Sequence, residues 1–414
     1  MSHPGHDPAR WSDDHFLDRL QASTDDLANG CFARLHADAE SLAEVNRLFA
    51  TTLRSGSAPL PPDAPPALCG FVEAFDRTVV DIDHDPAPLA RGAQVFRHKA
   101  LPACLAMLAA SLPSGYAAPE LSRILTISDD LGTHPYHRLM GVVQLLIDVG
   151  GHDDPCNDVV RWSAIKLRLL HAGVRALVPR TRPDFVARFG PPVNHEGMLA
   201  TIMGFSLVVI DGMERAGLGL EADDAEAYYQ LWRHFARLMG IAPADEPASS
   251  LFVPKNLDEA RAFYASYQRR HFCSDPAENP DGVMLSRRNL EMMRAMIPRW
   301  LRWLGLGAAP RMAMTEMLGD EGMRRVGIEP LPATGVRGWI YHFLLRLALL
   351  GEDVGEHLFD HLSVLILGGM VRVDMGKIIF VVPDSIADLR KLVEPQKGRS
   401  AAAPSSSDPQ EALR

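Results

Sequence analysis

Residues 161–175 read RWSAIKLRLLHAGVR and combine an apolar helical pattern with three arginines and one histidine. This stretch belongs to an apolar run over 158–178, with Asn157 or Asp158 as the candidate N-cap and Pro179 as the expected stop. At about 100° per residue, two opposite sides of the run are apolar, which predicts a helix buried on both sides. The apolar residues are Val160, Leu167, Val174 and Val178 on one face and Trp162, Ile165, Leu169 and Ala176 on the other.

A narrow polar stripe separates these faces and consists of Arg161, Arg168 and Arg175, with His171 at its border. Cations at i−3 and i+4 should lower the pKa of His171 and leave a nitrogen unprotonated. Such a nitrogen can bind a metal, and the arginines can hold an anionic ligand. The alternative is a core histidine bonded to the backbone, with the arginines paired to buried carboxylates. The residues alone leave both interpretations open.

The whole chain has the composition of a large helical protein. It has 414 residues, of which 47% are apolar and 23% charged, with a net charge of −10. No basic cluster is present, so a nucleic-acid partner is not expected. Pro and Gly separate helical patterns of ordinary length, which predicts an all-α single large domain with one small β-hairpin late in the chain, at 370–383.

Three regions follow from this pattern. Residues 1–90 form N-terminal helices and a Pro-rich loop, 91–395 the main helical domain, and 396–414 a Ser- and Pro-rich tail expected to be disordered. The polar N-terminus lacks a secretory signal, and no uninterrupted apolar run reaches the roughly 18 residues of a membrane span. We therefore expect a cytoplasmic protein without a membrane span. The oligomeric state is open.

A second helix is predicted from Asn194, its N-cap, to Gly217. Gly197, Thr201 and Gly204 follow one face, where small side chains let a flat ligand or another backbone approach. Close helix packing explains this stripe equally well. A third helix over 223–241 is amphipathic and aromatic, and we assign it to packing.

Several other patterns are weak as functional signals. The five cysteines are widely spaced without Cys-x-x-Cys, which is typical of reduced buried thiols and excludes covalent c-type haem. His357 and His361 share a helix face but lack a third ligand, so an exposed face is favoured. His134 and His137 flank a Pro in a loop and suit a solvated turn. No Glu-x-x-His, P-loop, Gly-x-Gly-x-x-Gly or Gly-x-Ser-x-Gly occurs.

Five segments together resemble the latex-clearing-protein family of rubber oxygenases and the related fungal oxygenase of mycophenolic acid biosynthesis. They are LPSGY, HRLMGVV, KLRLLHAGVR, GPPVNHEGMLATIMGFS and AYYQLWRHFARLMGI, and they occur in the family's order over about residues 92–245. Each segment alone is common, but their order and spacing are specific. The resemblance implies a b-type haem, held noncovalently in a helical core similar to a globin.

The resemblance also implies roles for individual residues. The family's haem-iron ligand lies in a His-Ala-x-Val-Arg segment, which is 171–175 here, so His171 is the expected metal ligand. Arg168 and Arg175 would then lie near the haem edge, and Thr201 and Gly204 would face its plane. Arg138 matches an arginine of the family's pocket and is the candidate catalytic residue.

The chain departs from the family just after that arginine. Latex-clearing proteins have Lys-Thr at the third and fourth following positions, whereas this chain has Gly141 and Val142. The family's lysine can cap the iron in a closed state, so its loss predicts an open pocket and puts rubber cleavage in doubt. A chain without a secretory signal also suits a small apolar substrate better than an extracellular polymer.

Two hypotheses follow. The first is a haem b oxygenase, an oxidoreductase that uses O2 to attack an apolar, alkene-containing small molecule. The second is a haem-binding or cofactor-free helical protein without turnover, which the missing Lys-Thr pair supports.

Overall fold

The structure is a computed structural model that describes residues 8–53, 58–80, 85–128, 135–243, 246, 252–297, 299–303, 306–335, 338–342 and 383. Of residues 79, 80, 128, 135–140 and 301 it describes the backbone alone. The α-helices are α1 (Asp14–Gln21), α2 (Asp26–His36), α3 (Ala39–Ala50), α4 (Pro66–Val80), α5 (Pro86–His98), α6 (Ala100–Ala106), α7 (Leu112–Tyr116), α8 (Pro119–Ser128), α9 (Pro135–Gly150), α10 (Asp158–Thr181), α11 (Pro183–Phe189), α12 (His195–Phe205), α13 (Leu207–Arg215), α14 (Ala222–Leu238), α15 (Leu257–His271), α16 (Pro280–Met296), α17 (Arg299–Trp303) and α18 (Ala309–Arg325). A π-helical turn, Met107–Ser111, joins α6 to α7, and short 3-10 turns lie at Pro8–Ser12, Pro276–Glu278 and Leu306–Ala308.

The described residues contain helices and no β-strand, so the all-α prediction is confirmed for that part of the chain. The predicted hairpin at 370–383 lies outside the described residues except for Pro383, and the tail at 396–414 lies outside them entirely. The likeness of the core to a globin stays a prediction.

The central helix α10 follows the sequence prediction closely. Asn157 is its N-cap and accepts from the backbone N–H groups of Val159 and Val160 at 2.7 and 3.3 Å. Both predicted apolar faces are buried, and only Leu167 and Ala176 of those residues remain partly accessible. The predicted stop was wrong, because α10 continues through Pro179 to Thr181. Proline removes one N–H, but the following amides still reach carbonyls one turn back, as Arg182 does to Val178 at 2.8 Å.

The second predicted helix is two helices, α12 and α13, broken at Ser206. Asn194 caps α12 as predicted, by accepting from the Gly197 N–H at 2.9 Å. The Ser206 backbone leaves the helical region at φ −110° and ψ −84°, and its hydroxyl donates to the Ile202 carbonyl at 2.8 Å. Gly217, in the left-handed region at φ 72°, follows the end of α13. The break falls just after the small-residue stripe, which ends at Gly204.

One hydrophobic core joins the N-terminal helices to the rest of the described chain. Phe32, Phe49 and Phe75 belong to the same buried cluster as Trp162 and Trp232. Helices α5 and α14 pack closely across it, since a Cβ on Gly92 would come within 2.2 Å of the Ala227 carbonyl oxygen. The predicted packing role of the aromatic helix α14 is confirmed by its fully buried side chains, which are Tyr228, Tyr229, Trp232 and Phe235.

Length and hydropathy alone would let one described helical run, His195–Arg215, cross a membrane. The bent pair Pro86–His98 and Ala100–Tyr116 would add a second if it formed one span. In the structure, 78% of the apolar window of His195–Arg215 is buried inside the protein, as in the core helix of a soluble protein. The absence of a membrane span stays a prediction.

Candidate functional site

His171 lies in the middle of α10 with a buried nitrogen that has no partner. Its Nδ1 is inaccessible and makes no hydrogen bond to any described residue. The residue as a whole is half-buried, so part of its surface borders open space. Burial, and next the Arg175 guanidinium, lower the pKa of His171 to about 3. The imidazole is therefore neutral at physiological pH and can donate a lone pair to a metal.

Arg175, one turn after His171, is also incompletely bonded. Its Nε donates to Asn29 Oδ1 at 2.7 Å, and its Nη1 donates to the Val193 carbonyl oxygen at 3.4 Å. Its Nη2 is buried and has no hydrogen-bond partner among the described residues. Burial lowers the pKa of Arg175 to about 10, so the guanidinium remains charged near neutral pH. A buried cation with a free donor can receive an anionic group.

Arg168, one turn before His171, is fully used by the protein. Its Nε and Nη2 donate to the two carboxylate oxygens of Asp25 at 2.6 and 2.8 Å, and its Nη1 donates to the Leu238 carbonyl oxygen at 3.2 Å. Although burial alone would raise the pKa of Asp25, the Arg168 guanidinium holds it below its usual range. This is the buried ion pair of the alternative interpretation. Every guanidinium nitrogen of Arg168 already has a hydrogen-bond partner in the protein. The predicted contact of Arg168 with a cofactor stays a prediction.

The small-residue stripe on α12 combines accessible and packed positions. Thr201 is exposed and Gly204 half-buried, although their neighbours are buried, namely Met198, Leu199, Ala200, Ile202 and Met203. The Thr201 hydroxyl donates to the Gly197 carbonyl at 2.9 Å. A Cβ on Gly204 would meet the Ser111 Oγ at 3.2 Å. An exposed threonine within a buried apolar helix borders a space that the protein does not fill.

Gly141 and Val142 lie half-buried on α9, which packs against α10. A Cβ built on Gly141 would have no described heavy atom within 4 Å, apart from its own helix backbone and chain neighbours. Gly141 is therefore not required by close packing, and a longer side chain could start from this position. Arg138 lies in the first turn of α9, and its side chain falls outside the described part of the structure.

A buried carboxylate pair, Glu120 and Glu196, was not predicted from the sequence. Burial, and next the Glu196 carboxylate, raise the pKa of Glu120 to about 8, and Asn194 Nδ2 donates to its Oε1 at 2.7 Å. Glu196 is fully buried and pairs with Arg270 Nε at 3.0 Å and His271 Nε2 at 2.9 Å. Glu120 thus keeps a proton near neutral pH beside the start of α12. Because its partners are more than 70 positions away, no local spacing shows this pair.

The remaining candidates add no second metal centre among the described residues. Within those residues, no group of three or more His, Cys, Asp or Glu side chains could hold a metal ion. His134, His357 and His361 lie outside the described residues, and the side chain of His137 does as well. The role of His171 as a metal ligand stays a prediction, because His195 on α12 also has a buried nitrogen, Nε2, without a hydrogen-bond partner in the described part of the chain.

Comparison of the chain with known proteins identifies its family. Residues 94–349, more than half of the chain, match the family described as ER-bound oxygenase mpaB/B'/Rubber oxygenase, catalytic domain. The chain belongs to this family. The candidate site residues, which run from Arg138 to Gly204, all lie inside the matched range.

Individual relatives agree with this assignment. The chain is 29% identical over 231 residues to the rubber oxygenase of Streptomyces sp. (strain K30), a match that covers 54% of this chain and 53% of the relative. The matched region thus spans about half the length of that relative. The solved structure of latex clearing protein in the closed state aligns with a TM-score of 0.58 and 22% identity, over 80% of this chain and 91% of that one. This chain therefore shares that fold.

Proposed function

We propose that this chain is a haem b oxygenase, an oxidoreductase that uses O2 to attack an apolar, alkene-containing small molecule. Its membership of an oxygenase family supports the general class of reaction. The observation that carries the proposal is the buried, unpartnered Nδ1 of His171, in the His-Ala-x-Val-Arg segment where the family resemblance expects the haem ligand.

The residues present fit a haem in three ways. A neutral imidazole with an unpartnered nitrogen suits an iron ligand. The free Nη2 of Arg175 suits a propionate. The accessible Thr201 and the small Gly204 suit the approach of a flat macrocycle. Leaving these buried polar atoms without a partner costs about 1–3 kcal/mol each, which a bound group would offset.

Each residue then has a defined task. His171 would hold the iron, and Arg175 would donate a charge-assisted hydrogen bond to a propionate. When bound, the haem supplies the binding and activation of O2. Gly141 and Val142 would leave space for O2 and an apolar substrate, and Arg138 would supply a cation to the reaction as the candidate catalytic residue. The surrounding apolar side chains would exclude water from this space.

Oxygen consumption by the purified, haem-loaded full chain tests the proposal. We expect uptake of O2 with an unsaturated hydrocarbon such as squalene and none with squalane, its saturated counterpart, because only the former has electron-rich double bonds. The protein before haem loading is the matched control. Equal O2 uptake with both hydrocarbons, or none with any alkene in a haem-loaded protein, would contradict the proposal.

A second candidate is a haem carrier without turnover. Glycine and valine at 141 and 142, where latex-clearing proteins have Lys-Thr, favour it. A carrier would bind haem and O2 reversibly but leave an alkene unchanged. The same oxygen measurement, followed by analysis of the hydrocarbon products, separates the two functions.

A further inference from the structure

The segment 296–303 exposes more large apolar surface than any other short stretch of the described chain. Only five large hydrophobic side chains of the described residues are exposed: Val186 at 38%, Met296 at 44%, Trp300 at 65%, Trp303 at 87% and Trp339 at 67%. Three of the five fall within eight residues. Half of the chain's six tryptophans are therefore in water, whereas the other three, Trp11, Trp162 and Trp232, are almost completely buried.

The short helix α17 places these tryptophans beside arginines. Trp300 and Trp303 are separated by three positions and so lie on the same side of the helix. Arg299 and Arg302 have the same spacing and form an adjacent exposed row. Neither arginine makes an ion pair with a described residue. The surface therefore has an aromatic row and, beside it, a row of cations that no described carboxylate neutralises.

The local charge is opposite to that of the whole protein. The chain carries 52 acidic and 42 basic residues, yet residues 292–315 contain four arginines and no aspartate or glutamate. The arginines favour a negatively charged partner. A partner surface that is acidic but purely polar would not cover the tryptophan rings.

The exposed Trp339 is held on the same supporting helix. The 3-10 turn Leu306–Ala308 leads directly into α18 and packs against it. The segment that carries Trp339 is fixed to α18 by the contact of His342 Nε2 with Glu316 Oε1 at 3.1 Å. Helix α18 thus supports both tryptophan-bearing segments.

We propose that the tryptophan–arginine surface (Met296, Arg299, Trp300, Arg302 and Trp303) binds the headgroup region of an anionic lipid bilayer, so that the protein attaches peripherally to a membrane. Tryptophan rings favour the boundary between headgroups and acyl chains, and arginines beside them bind lipid phosphates. An anionic lipid surface offers apolar depth and negative charge together. This inference does not depend on haem or oxygenase activity.

Vesicle flotation with the full chain tests the proposal. The vesicles contain phosphatidylcholine alone or phosphatidylcholine mixed with phosphatidylglycerol. The test variants are Trp300→Ser/Trp303→Ser and Arg299→Glu/Arg302→Glu. The matched control is Arg182→Glu/Val186→Ser. Arg182 is an exposed arginine that precedes α11, and Val186 is an exposed apolar residue on that helix. Circular dichroism verifies that all variants stay folded, which is expected because the changed side chains are exposed.

We expect the wild type and the control to float with the anionic vesicles, with weaker flotation at high salt. The two test variants should require roughly tenfold more lipid for half-binding. Tryptophan fluorescence of the wild type should shift to shorter wavelength on the vesicles, and less so in Trp300→Ser/Trp303→Ser. The proposal is overturned if the wild type does not bind anionic vesicles or if the test variants bind as well as the control. It is equally overturned if the wild type is a dimer that the tryptophan variant converts to a monomer, since the surface would then be a protein interface.

Discussion

His171 and Arg175 lie one helical turn apart on α10, and each has a buried nitrogen, Nδ1 and Nη2, without a partner among the described residues. One atom belongs to a neutral imidazole and the other to a guanidinium. The pair is complementary to a ligand that has a Lewis-acidic centre and an anionic edge, which is the chemistry of a haem with its propionates.

Replacement of Gly204 by Leu should overfill the space beside α12. A Cβ there already comes within 3.2 Å of Ser111 Oγ, so a larger side chain should cost about 1–3 kcal/mol and reduce haem binding. Urea unfolding and haem titration measure the two effects. Gly197→Ala is a comparison within the same stripe, at a position where the nearest neighbour of a Cβ is 3.4 Å away. Full haem stoichiometry in Gly204→Leu would mean that the stripe only packs against protein.

An open pocket over Gly141 should give fast ligand binding that is nearly independent of pH. Since no lysine must leave the iron, carbon monoxide and imidazole should bind at similar rates from about pH 6 to 9. Gly141→Lys should introduce a nitrogen ligand and slow this binding at alkaline pH, where the amine is neutral. Stopped-flow spectroscopy measures both proteins. A nitrogenous sixth ligand in the resting wild-type spectrum would contradict the open pocket.

Loss of Arg168 should destabilise the fold more than loss of Arg161 on the same helix. Arg168→Met leaves Asp25 buried without its cation, at an expected cost of about 3–5 kcal/mol. Arg161 pairs with Asp76, but both side chains are partly exposed, at 24% and 46%, so Arg161→Met should cost less than about 1 kcal/mol. Urea midpoints measure the difference. Equal midpoints would show that the Asp25 pair contributes no more than a surface pair.

Glu120 should make the protein less stable as the pH rises. The pKa of Glu120 is about 8 in the folded state and near 4.5 in the unfolded chain. Between these two pH values the folded state therefore binds more protons than the unfolded state. The free energy of unfolding therefore falls across this window, at up to about 1.4 kcal/mol per pH unit for one proton. Glu120→Gln should flatten the dependence, whereas Glu40→Gln at an exposed site should not. Parallel pH profiles for wild type and Glu120→Gln would refute a protonated Glu120.

The sequence predicted the features that are encoded locally. The cap at Asn157 and the two buried faces of α10 follow from side-chain type and helical spacing, and both were confirmed. Two predictions were wrong. Helix α10 does not stop at Pro179, because a proline near a helix end costs only one hydrogen bond. The run from Asn194 to Gly217 is not one helix, because it is interrupted at Ser206, whose hydroxyl donates to the Ile202 carbonyl.

Long-range pairings were beyond such prediction. Arg168 pairs with Asp25, which is 143 positions away in the sequence, and Asn194 donates to Glu120, which is 74 positions away. These groups come together only in the folded chain. Spacing along α10 therefore could not show that Arg168 pairs with a carboxylate while Arg175 keeps an Nη2 without a partner among the described residues. His171 was indicated through a continuous segment, His-Ala-x-Val-Arg, that resembles the family's, and its role as the iron ligand stays a prediction.

Haem titration of His171→Ala, with imidazole added back, tests the central claim most directly. The wild-type full chain should bind one haem per chain and develop a Soret band. His171→Ala should remain folded by circular dichroism but bind haem only weakly, because the truncated side chain removes the iron ligand. Free imidazole should enter the vacated space and restore the wild-type spectrum, which an unfolded variant could not show. Equal haem content and an unchanged spectrum in His171→Ala without imidazole would contradict the assignment.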